Sequence, residues 1–335
     1  MSVYYRPLLQ TDLHRPIEAL TLGNGWCWFT HAERLERGRD PWIVPVKDLP
    51  ESVLSRLTDP RAPVAGMAMD RPQIMGILNV TPDSFSDGGL FMGAEAALAQ
   101  AQAMEAAGAA IIDIGGESTR PGAQEVAISE EISRTEPVIA AVRAGSAIPI
   151  SIDTRKADVA KAAIAAGATL VNDVAAFTFD PALAGVTADA GLPVCLMHAK
   201  GRPENMQDDP RYDDVLLDVY DFLEERIQAA EAAGIPRARV VVDPGIGFGK
   251  TLQHNVTLLR GLSLFHSLGA PILLGASRKR FIGEISDAPE MAARMPGSVA
   301  VALWGVTQGV QILRVHDVLE TRQALSLQLA LSGAV

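Results

Sequence analysis

The strongest constraint on the fold is a pattern that recurs from about Gln73 to the end of the chain. A short apolar run ends in a polar residue, and a glycine-bearing loop and a helical stretch follow it. The runs are rich in Ile, Val and Leu and do not alternate with polar residues, which is typical of parallel strands buried on both faces. The pattern predicts an α/β fold with strands at Ile74–Leu78, Ala110–Ile114, Ile148–Ile152, Thr169–Val171, Pro193–Met197, Val240–Val242, Pro271–Leu274 and Val310–Val315.

Alanine-rich segments between these runs predict the helices. Clear examples are Ala94–Ala107, Lys156–Ala166 and Val215–Ala233. Several helical segments end in Ala-Gly, with glycines at 108, 167, 191 and 234. A glycine at this position suits a left-handed helix cap before the chain turns into the next strand.

The polar residues at the strand ends distinguish a closed barrel from an open sheet. An open sheet concentrates its ligand contacts at one switch point, whereas a barrel gathers them from all eight strands. Here every predicted strand delivers a polar group to the same rim, which predicts a (β/α)8 TIM barrel over residues 73–335. These groups are Asn79, Asp113, Asp153, Asn172, His198, Asp243, Lys279, Arg314 and His316.

Residues 1–72 do not follow the pattern. They contain several prolines, a polar stretch over 31–40 and the aromatic residues Trp26, Trp28, Phe29 and Trp42. We expect an amino-terminal extension or small subdomain that packs on the barrel, and nothing in it indicates a function.

Composition excludes several classes of partner. The 335 residues are 48% hydrophobic, which predicts a sizeable core, and 29 Lys and Arg face 40 Asp and Glu for a net charge of -11. An acidic chain argues against nucleic acid or a membrane surface as a partner. Cys27 and Cys195 are the two cysteines and lie far apart in sequence, which argues against a disulfide framework or a structural zinc site. The polar residues Arg6, Asp12 and His14 interrupt the start, so we expect no signal peptide and a cytoplasmic protein.

The segment 245-GIGFGKT-251 invites two nucleotide-binding interpretations, and both are excluded. A Walker loop requires glycine five residues before Gly249, where the chain has Pro244. The dinucleotide motif G-x-G-x-x-G requires its third glycine one residue later.

The informative signal is a set of polar loops, each following one predicted strand. Together they resemble the dihydropteroate synthase family, from about Gln73 to the last strand, with the extension outside the resemblance. Ala199-Lys200 replace the family's more familiar hydrophobic–Gln pair. The segments are 79-NVTPDSFSDGG-89, 113-DIGGESTRPGA-123, 151-SIDTRK-156, 172-ND-173, 196-LMHAKGRPENMQ-207, 243-DPGIGFGK-250, 276-ASRKRFIG-283 and 314-RVHDV-318.

The resemblance implies an enzyme that joins a pterin diphosphate to 4-aminobenzoate, with dihydropteroate and pyrophosphate as products. It assigns the pterin ring to Asp153, Asn172, Asp243, Phe248 and Lys279. Asp243 suits this role because a buried carboxylate accepts hydrogen bonds from the ring's amino group and neighbouring N–H at once.

The resemblance also implies an anion site and a metal. Arg314 and His316 bind the diphosphate, together with Thr119. Asn79 is a ligand to Mg2+, which takes few protein ligands when it binds with a phosphate substrate.

The loops supply the remaining expected roles. Asp87 stabilises the pterin cation, and Arg120 and Lys279 act with it in catalysis. Phe85 and Pro121 contact the 4-aminobenzoate ring. Family members are typically homodimers, so we expect one here.

Two alternatives remain from the residues alone. A methyltetrahydrofolate methyltransferase shares the ring-binding logic but has no use for a diphosphate site. A non-catalytic pterin-binding homologue keeps the fold, although such proteins usually lose loop residues that this chain retains, such as Asp83 and Asp87.

Overall fold

The structure, a computed structural model, describes residues 2–80, 90–118, 122–201 and 205–333. The first part of the chain forms small antiparallel sheets, one α-helix and one short 3-10 helix (Val46–Asp48). Its elements are β1 (Val3–Pro7), β2 (Leu20–Thr21), β3 (Trp28–Phe29), β4 (His31–Glu36), β5 (Trp42–Pro45) and α1 (Glu51–Thr58).

From Gln73 onward, strands and helices alternate. The strands are β6 (Gln73–Asn79), β7 (Ile111–Gly115), β8 (Ile150–Asp153), β9 (Leu170–Asp173), β10 (Val194–Met197), β11 (Val240–Asp243), β12 (Leu273–Leu274) and β13 (Ile312–Val315). The helices are α2 (Leu90–Ala107), α3 (Ile128–Gly145), α4 (Ala157–Ala166), α5 (Ala182–Asp189), α6 (Val215–Ala232), α7 (Leu252–Arg260), α8 (Arg280–Ser286), α9 (Met295–Thr307) and α10 (Val318–Ser332).

The strands β6 to β13 form one parallel sheet in the order β11-β10-β9-β8-β7-β6-β13-β12. A parallel bridge between Val242 and Ile272 joins the two edge strands and closes the sheet into a barrel. The predicted (β/α)8 barrel is confirmed. Strand β12 is shorter than the predicted Pro271–Leu274, because Ile272 contributes a bridge outside the regular strand.

Glycines terminate several helices in the predicted way. Gly108, Gly167, Gly191 and Gly234 have φ angles of 104°, 118°, 65° and 96°. These left-handed conformations favour glycine and turn the chain from a helix toward the next strand.

The extension packs on the outside of the barrel. Strands β1, β4 and β5 form an antiparallel sheet, in that order. The Tyr4 hydroxyl donates to Asp221 of α6 at 2.9 Å, and the Ser263 hydroxyl donates to the Pro7 carbonyl at 2.9 Å. The Trp26 indole N–H donates to the Val306 carbonyl of α9 at 2.9 Å.

The last part of the extension reaches the amino-terminal end of the barrel interior. The side chains of Val64, Met67 and Met69 are buried in one apolar cluster with interior strand residues such as Met75 and Leu170. This contact seals the end of the barrel opposite to the strand carboxyl ends. Across the described ranges, no helix combines the length and the apolar character that crossing a bilayer requires.

Candidate active site

A cavity of about 1080 Å³ lies at the carboxyl ends of the barrel strands. The fold brings six of the predicted site residues to its lining, namely Asn79, Asp153, Phe248, Lys279, Arg314 and His316. Asn172 and Asp243 are buried side chains next to these residues and are not part of the lining. The cavity therefore has a charged wall with further polar groups behind it.

The centre of this wall is an ion-pair group of one arginine and two carboxylates. Arg314 Nε donates to Asp113 Oδ2 at 2.6 Å, and Arg314 Nη2 donates to Asp153 Oδ2 at 2.7 Å. Asn172 Nδ2 lies 3.3 Å from Asp113 Oδ2. The strand order explains the group, since β13, β7, β8 and β9 lie close together in the sheet.

Burial and neighbouring charges change the pKa of two members of this group, Asp153 and Arg314. Burial is the largest cause for Asp153. It raises the pKa of Asp153 to about 7, against the opposing effect of the Arg314 charge. Burial by itself lowers the pKa of Arg314, but the charges of Asp113 and Asp153 outweigh it and raise the pKa above its ordinary value. Arg314 therefore stays cationic, while Asp153 titrates near neutral pH.

Asp243 ends β11 and lies directly before a glycine-rich turn. Its Oδ1 accepts the Gly245 N–H at 2.7 Å, and burial raises its pKa. Gly245 has a φ of 67°, and a Cβ there would lie 1.8 Å from the His198 carbonyl oxygen. Gly249 has a φ of 63°, and a Cβ there would lie 2.2 Å from the Lys200 carbonyl oxygen. The glycines of 245-GIGFGKT-251 thus allow the backbone to turn tightly and pass close to neighbouring carbonyl groups beside Asp243.

Lys279 reaches the same turn from the loop after β12. Its Nζ donates to the Ile246 carbonyl and lies 4.4 Å from the centroid of the Phe248 ring. Burial lowers the pKa of Lys279 to about 8, although the charge of Asp243 opposes this shift. The turn, the lysine and the aromatic ring together form one part of the cavity wall.

Lys250 and His198 form a buried pair that the motifs did not single out as a site. Lys250 Nζ lies 2.8 Å from His198 Nδ1 and donates to the Phe248 carbonyl at 3.0 Å. Burial lowers the pKa of both groups below their usual ranges. The pair fixes the carbonyl of Phe248 and so supports the turn after Asp243.

His316 follows β13 and lines the cavity. Its backbone N–H donates to Ser277 Oγ at 3.2 Å, and its ring Nδ1 lies 3.0 Å from the same hydroxyl. Arg278 forms an ion pair with Asp317, the residue that follows His316 in the chain. These contacts hold the imidazole near Lys279 and Arg314 at the rim.

A second buried ion group lies beside the 113–123 segment. Glu117 accepts from the Val126 N–H at 2.8 Å, from Lys156 Nζ at 3.0 Å and from Arg155 Nε at 3.0 Å. Lys156 Nζ also donates to Glu131 at 2.7 Å. The sequence signal for this group was the charge pattern of 151-SIDTRK-156, to which no role was assigned.

The remaining predicted loop residues lie outside the residues that the structure describes. They are Phe85, Asp87, Thr119, Arg120 and Pro121. Their assignments stay predictions. In the described ranges, no group of three or more His, Cys, Asp or Glu side chains forms a candidate metal site.

The chain matches a known class of protein over most of the barrel. Residues 75–316 match the family described as pterin binding enzyme. The barrel and its charged mouth thus belong to a pterin-binding enzyme. Residues 2–72 lie outside this match.

Similar proteins of known name indicate which pterin-binding enzyme this chain resembles. The dihydropteroate synthase of Neisseria meningitidis serogroup C is 49% identical over 262 residues, which cover 77% of this chain and 92% of that protein. A Xanthomonas albilineans dihydropteroate synthase solved with 4-aminobenzoic acid has a TM-score of 0.76 and 48% identity, and the match covers 81% of this chain and 97% of that one. The same enzyme in complex with 7,8-dihydropteroate gives a TM-score of 0.73 and 45% identity, with 80% and 96% covered.

The chain therefore belongs to the dihydropteroate synthase family, and the family predicted from the strand-end loops is confirmed. It is an enzyme of folate biosynthesis that forms 7,8-dihydropteroate from the dihydropterin diphosphate and 4-aminobenzoate. The methyltransferase alternative is set aside, because similar proteins of Neisseria meningitidis and Escherichia coli are dihydropteroate synthases.

Proposed function

We propose that the charged wall of the cavity binds the pterin ring through Asp153, Asn172 and Asp243, and that the rim binds the diphosphate. The observation that carries this proposal is the position of two buried carboxylates with raised pKa values: Asp153 lines the cavity, and Asp243 lies directly behind the lining residue Gly275. Carboxylates that are costly to bury are retained where a ligand supplies the donors. The donor edge of a pterin is such a ligand.

The polar groups behind the wall supply acceptors for that edge. Asp243 Oδ1 accepts the Gly245 N–H, which leaves Oδ2 for a ligand, and Oδ2 faces the space beside Gly275. A side chain at Gly275 would place its Cβ 3.5 Å from that oxygen. Lys279 then provides a donor for the ring's carbonyl or ring nitrogen, and Phe248 provides an apolar face.

The diphosphate binds at the rim, where Arg314 and His316 lie. A guanidinium carries five N–H donors, so the contacts of Arg314 with Asp113 and Asp153 leave further donors for an anion. Thr119 completes this subsite in the proposal. The positive charge for the diphosphate is thus confined to this rim, because the chain as a whole has a net charge of -11.

Mg2+ fits this rim as an ion that binds together with the phosphate groups of the substrate. Asn79 ends β6, is half-buried and lines the cavity, so its side-chain oxygen is available as one ligand. Mg2+ commonly uses one or two protein oxygens plus phosphate oxygens and water. When bound, it would neutralise the charge of the departing pyrophosphate.

The reaction then needs positioning and electrostatics rather than a nucleophilic residue. The amine nitrogen of 4-aminobenzoate bonds to the pterin methylene carbon, the carbon–oxygen bond to the diphosphate breaks, and the amine loses a proton. Arg314 and His316 stabilise the leaving anion, and the wall holds the ring in place. Asp87 stabilises positive charge on the pterin, Arg120 and Lys279 assist, and Phe85 and Pro121 hold the second substrate.

The direct test is product formation by the purified protein with the dihydropterin diphosphate. We expect pyrophosphate and dihydropteroate to appear together, and only with both Mg2+ and 4-aminobenzoate present. Pterin binding without either product would contradict the proposal and indicate a non-catalytic homologue. The homodimer and the cytoplasmic location are further parts of the proposal, and sedimentation of the full chain tests the first.

A further inference from the structure

Asp113 is a buried carboxylate that the proposed mechanism does not use. It lies in the middle of β7 and is 1% exposed. Its Oδ2 accepts from Arg314 Nε at 2.6 Å, and both of its oxygens lie 3.3 to 3.4 Å from Asn172 Nδ2. A single carboxylate thus contacts Asn172, which the proposal places against the pterin ring, and Arg314, which it places at the diphosphate.

The contact with Asp113 determines which end of the Asn172 amide faces the ligand. An ionised carboxylate only accepts hydrogen bonds, whereas the asparagine amide has a donor end and an acceptor end. The opposite rotamer would place the amide oxygen of Asn172 against the oxygens of Asp113, which is repulsive. Asn172 therefore turns its NH2 to Asp113 and its carbonyl oxygen away from it.

The same carboxylate limits the position of Arg314. Arg314 bridges Asp113 on β7 and Asp153 on β8, so its guanidinium is held between two strands. Charge-assisted hydrogen bonds of this length are strong and directional. The side chain is 20% exposed and reaches the cavity from this position.

We propose that Asp113 is a positioning residue, which orients the Asn172 amide so that its oxygen accepts from the pterin and which holds Arg314 in place for the diphosphate. This inference rests on the proposed function. Asp113 has this effect because a carboxylate accepts from two donors at once. An amide at position 113 has one acceptor oxygen and points a donor at the second partner.

The first test replaces the carboxylate of Asp113 with an amide. In Asp113→Asn, the amide oxygen keeps Arg314, and its NH2 faces the NH2 of Asn172. The Asn172 amide then turns over, and we expect pterin diphosphate to bind about 10-fold more weakly or worse, the size of effect of one mismatched buried polar pair. The KM for 4-aminobenzoate should stay unchanged.

The exchanged double variant, Asp113→Asn with Asn172→Asp, provides the matched control. The NH2 at position 113 then donates to the carboxylate at position 172, which presents its other oxygen to the ligand. We expect this variant to recover most of the pterin affinity lost in Asp113→Asn. The single variant Asn172→Asp, which sets two carboxylates against each other, should bind pterin worse than the double variant.

Wild-type protein and Asp243→Ala separate this inference from the proposed function. Product formation by the wild type and loss of pterin binding in Asp243→Ala must both be seen first, and their failure would count against the proposed function. With both in place, wild-type pterin affinity in Asp113→Asn, or a double variant no better than Asp113→Asn, overturns the inference. Thermal unfolding reports whether each variant folds. If Asp113→Asn does not fold, Asp113→Glu keeps the charge, displaces the oxygens and should show the same selective loss.

Discussion

The two ends of the barrel interior use the same strands for opposite purposes. At the amino-terminal end, the strands and the extension contribute one buried apolar cluster. Two residues further along four of these strands, the side chains are charged or polar. Residues two apart on a strand point to the same side, so both layers face the interior. The pairs are Ile111 and Asp113, Leu170 and Asn172, Val241 and Asp243, and Ile312 and Arg314.

The difference separates stability from function within one interior. Val64, Met67 and Met69 close the apolar end, and they come from a part of the chain outside the family match. The polar end carries buried charges, which cost free energy unless they pair with each other or with a ligand. Changes at the two ends should therefore have separable effects.

The largest effect is expected at the polar end. Asp243→Ala removes an acceptor for the pterin donor edge, and we expect pterin binding to be lost within the range of a calorimetric titration. The free energy of unfolding should not fall much, because burial already disfavours the charged form of Asp243. Near-normal pterin affinity would refute the assignment of Asp243.

The apolar end should respond in the opposite way. Met69→Ala leaves a cavity in the cluster and should lower the free energy of unfolding by about 2 to 5 kcal/mol, with an unchanged KM for both substrates. Denaturant unfolding and steady-state kinetics measure the two quantities. Leu331→Ala is the matched control, because Leu331 is 79% exposed and its loss should cost little. A raised KM in folded Met69→Ala would break the separation of the two ends.

A smaller effect concerns pH and again belongs to the polar end. Asp153 has a pKa raised by burial to about 7, so between about pH 4 and 7 the folded protein holds a proton that the unfolded chain has released. The contribution of Asp153 to the free energy of unfolding therefore falls as pH rises through this window. The difference between wild type and Asp153→Asn isolates this contribution. A difference that is flat from pH 4 to 8 would contradict it.

Much of the fold follows from the sequence for local physical reasons. Buried parallel strands need continuous apolar runs, and helix ends need glycine, so the strands and caps were found to within about two residues. The path of the extension was not predictable. Met67 and Met69 pack in the barrel end against residues that are distant in sequence. No local periodicity of the sequence indicates these contacts.

The candidate site was predictable as a list of residues and less so as an arrangement. The positions of Asp153, Asn172, Asp243 and Arg314 at strand ends follow from the repeat. The bridge of Arg314 to Asp113 and Asp153 depends on the order of strands around the barrel. A linear sequence does not state which strand ends face each other, so Asp113 was seen as a rim residue without a role.

The most direct test of the account is whether the acceptors behind the cavity wall recognise the donor edge of the ring. Calorimetry would compare a dihydropterin ligand with an analogue that carries a methyl group in place of the ring's amino group, on wild type and on Asp243→Ala. The account predicts a strong preference of the wild type for the amino compound, and no measurable binding of either compound, hence no preference, in Asp243→Ala. An equal preference in both proteins would contradict it, because the ring edge would then be recognised elsewhere.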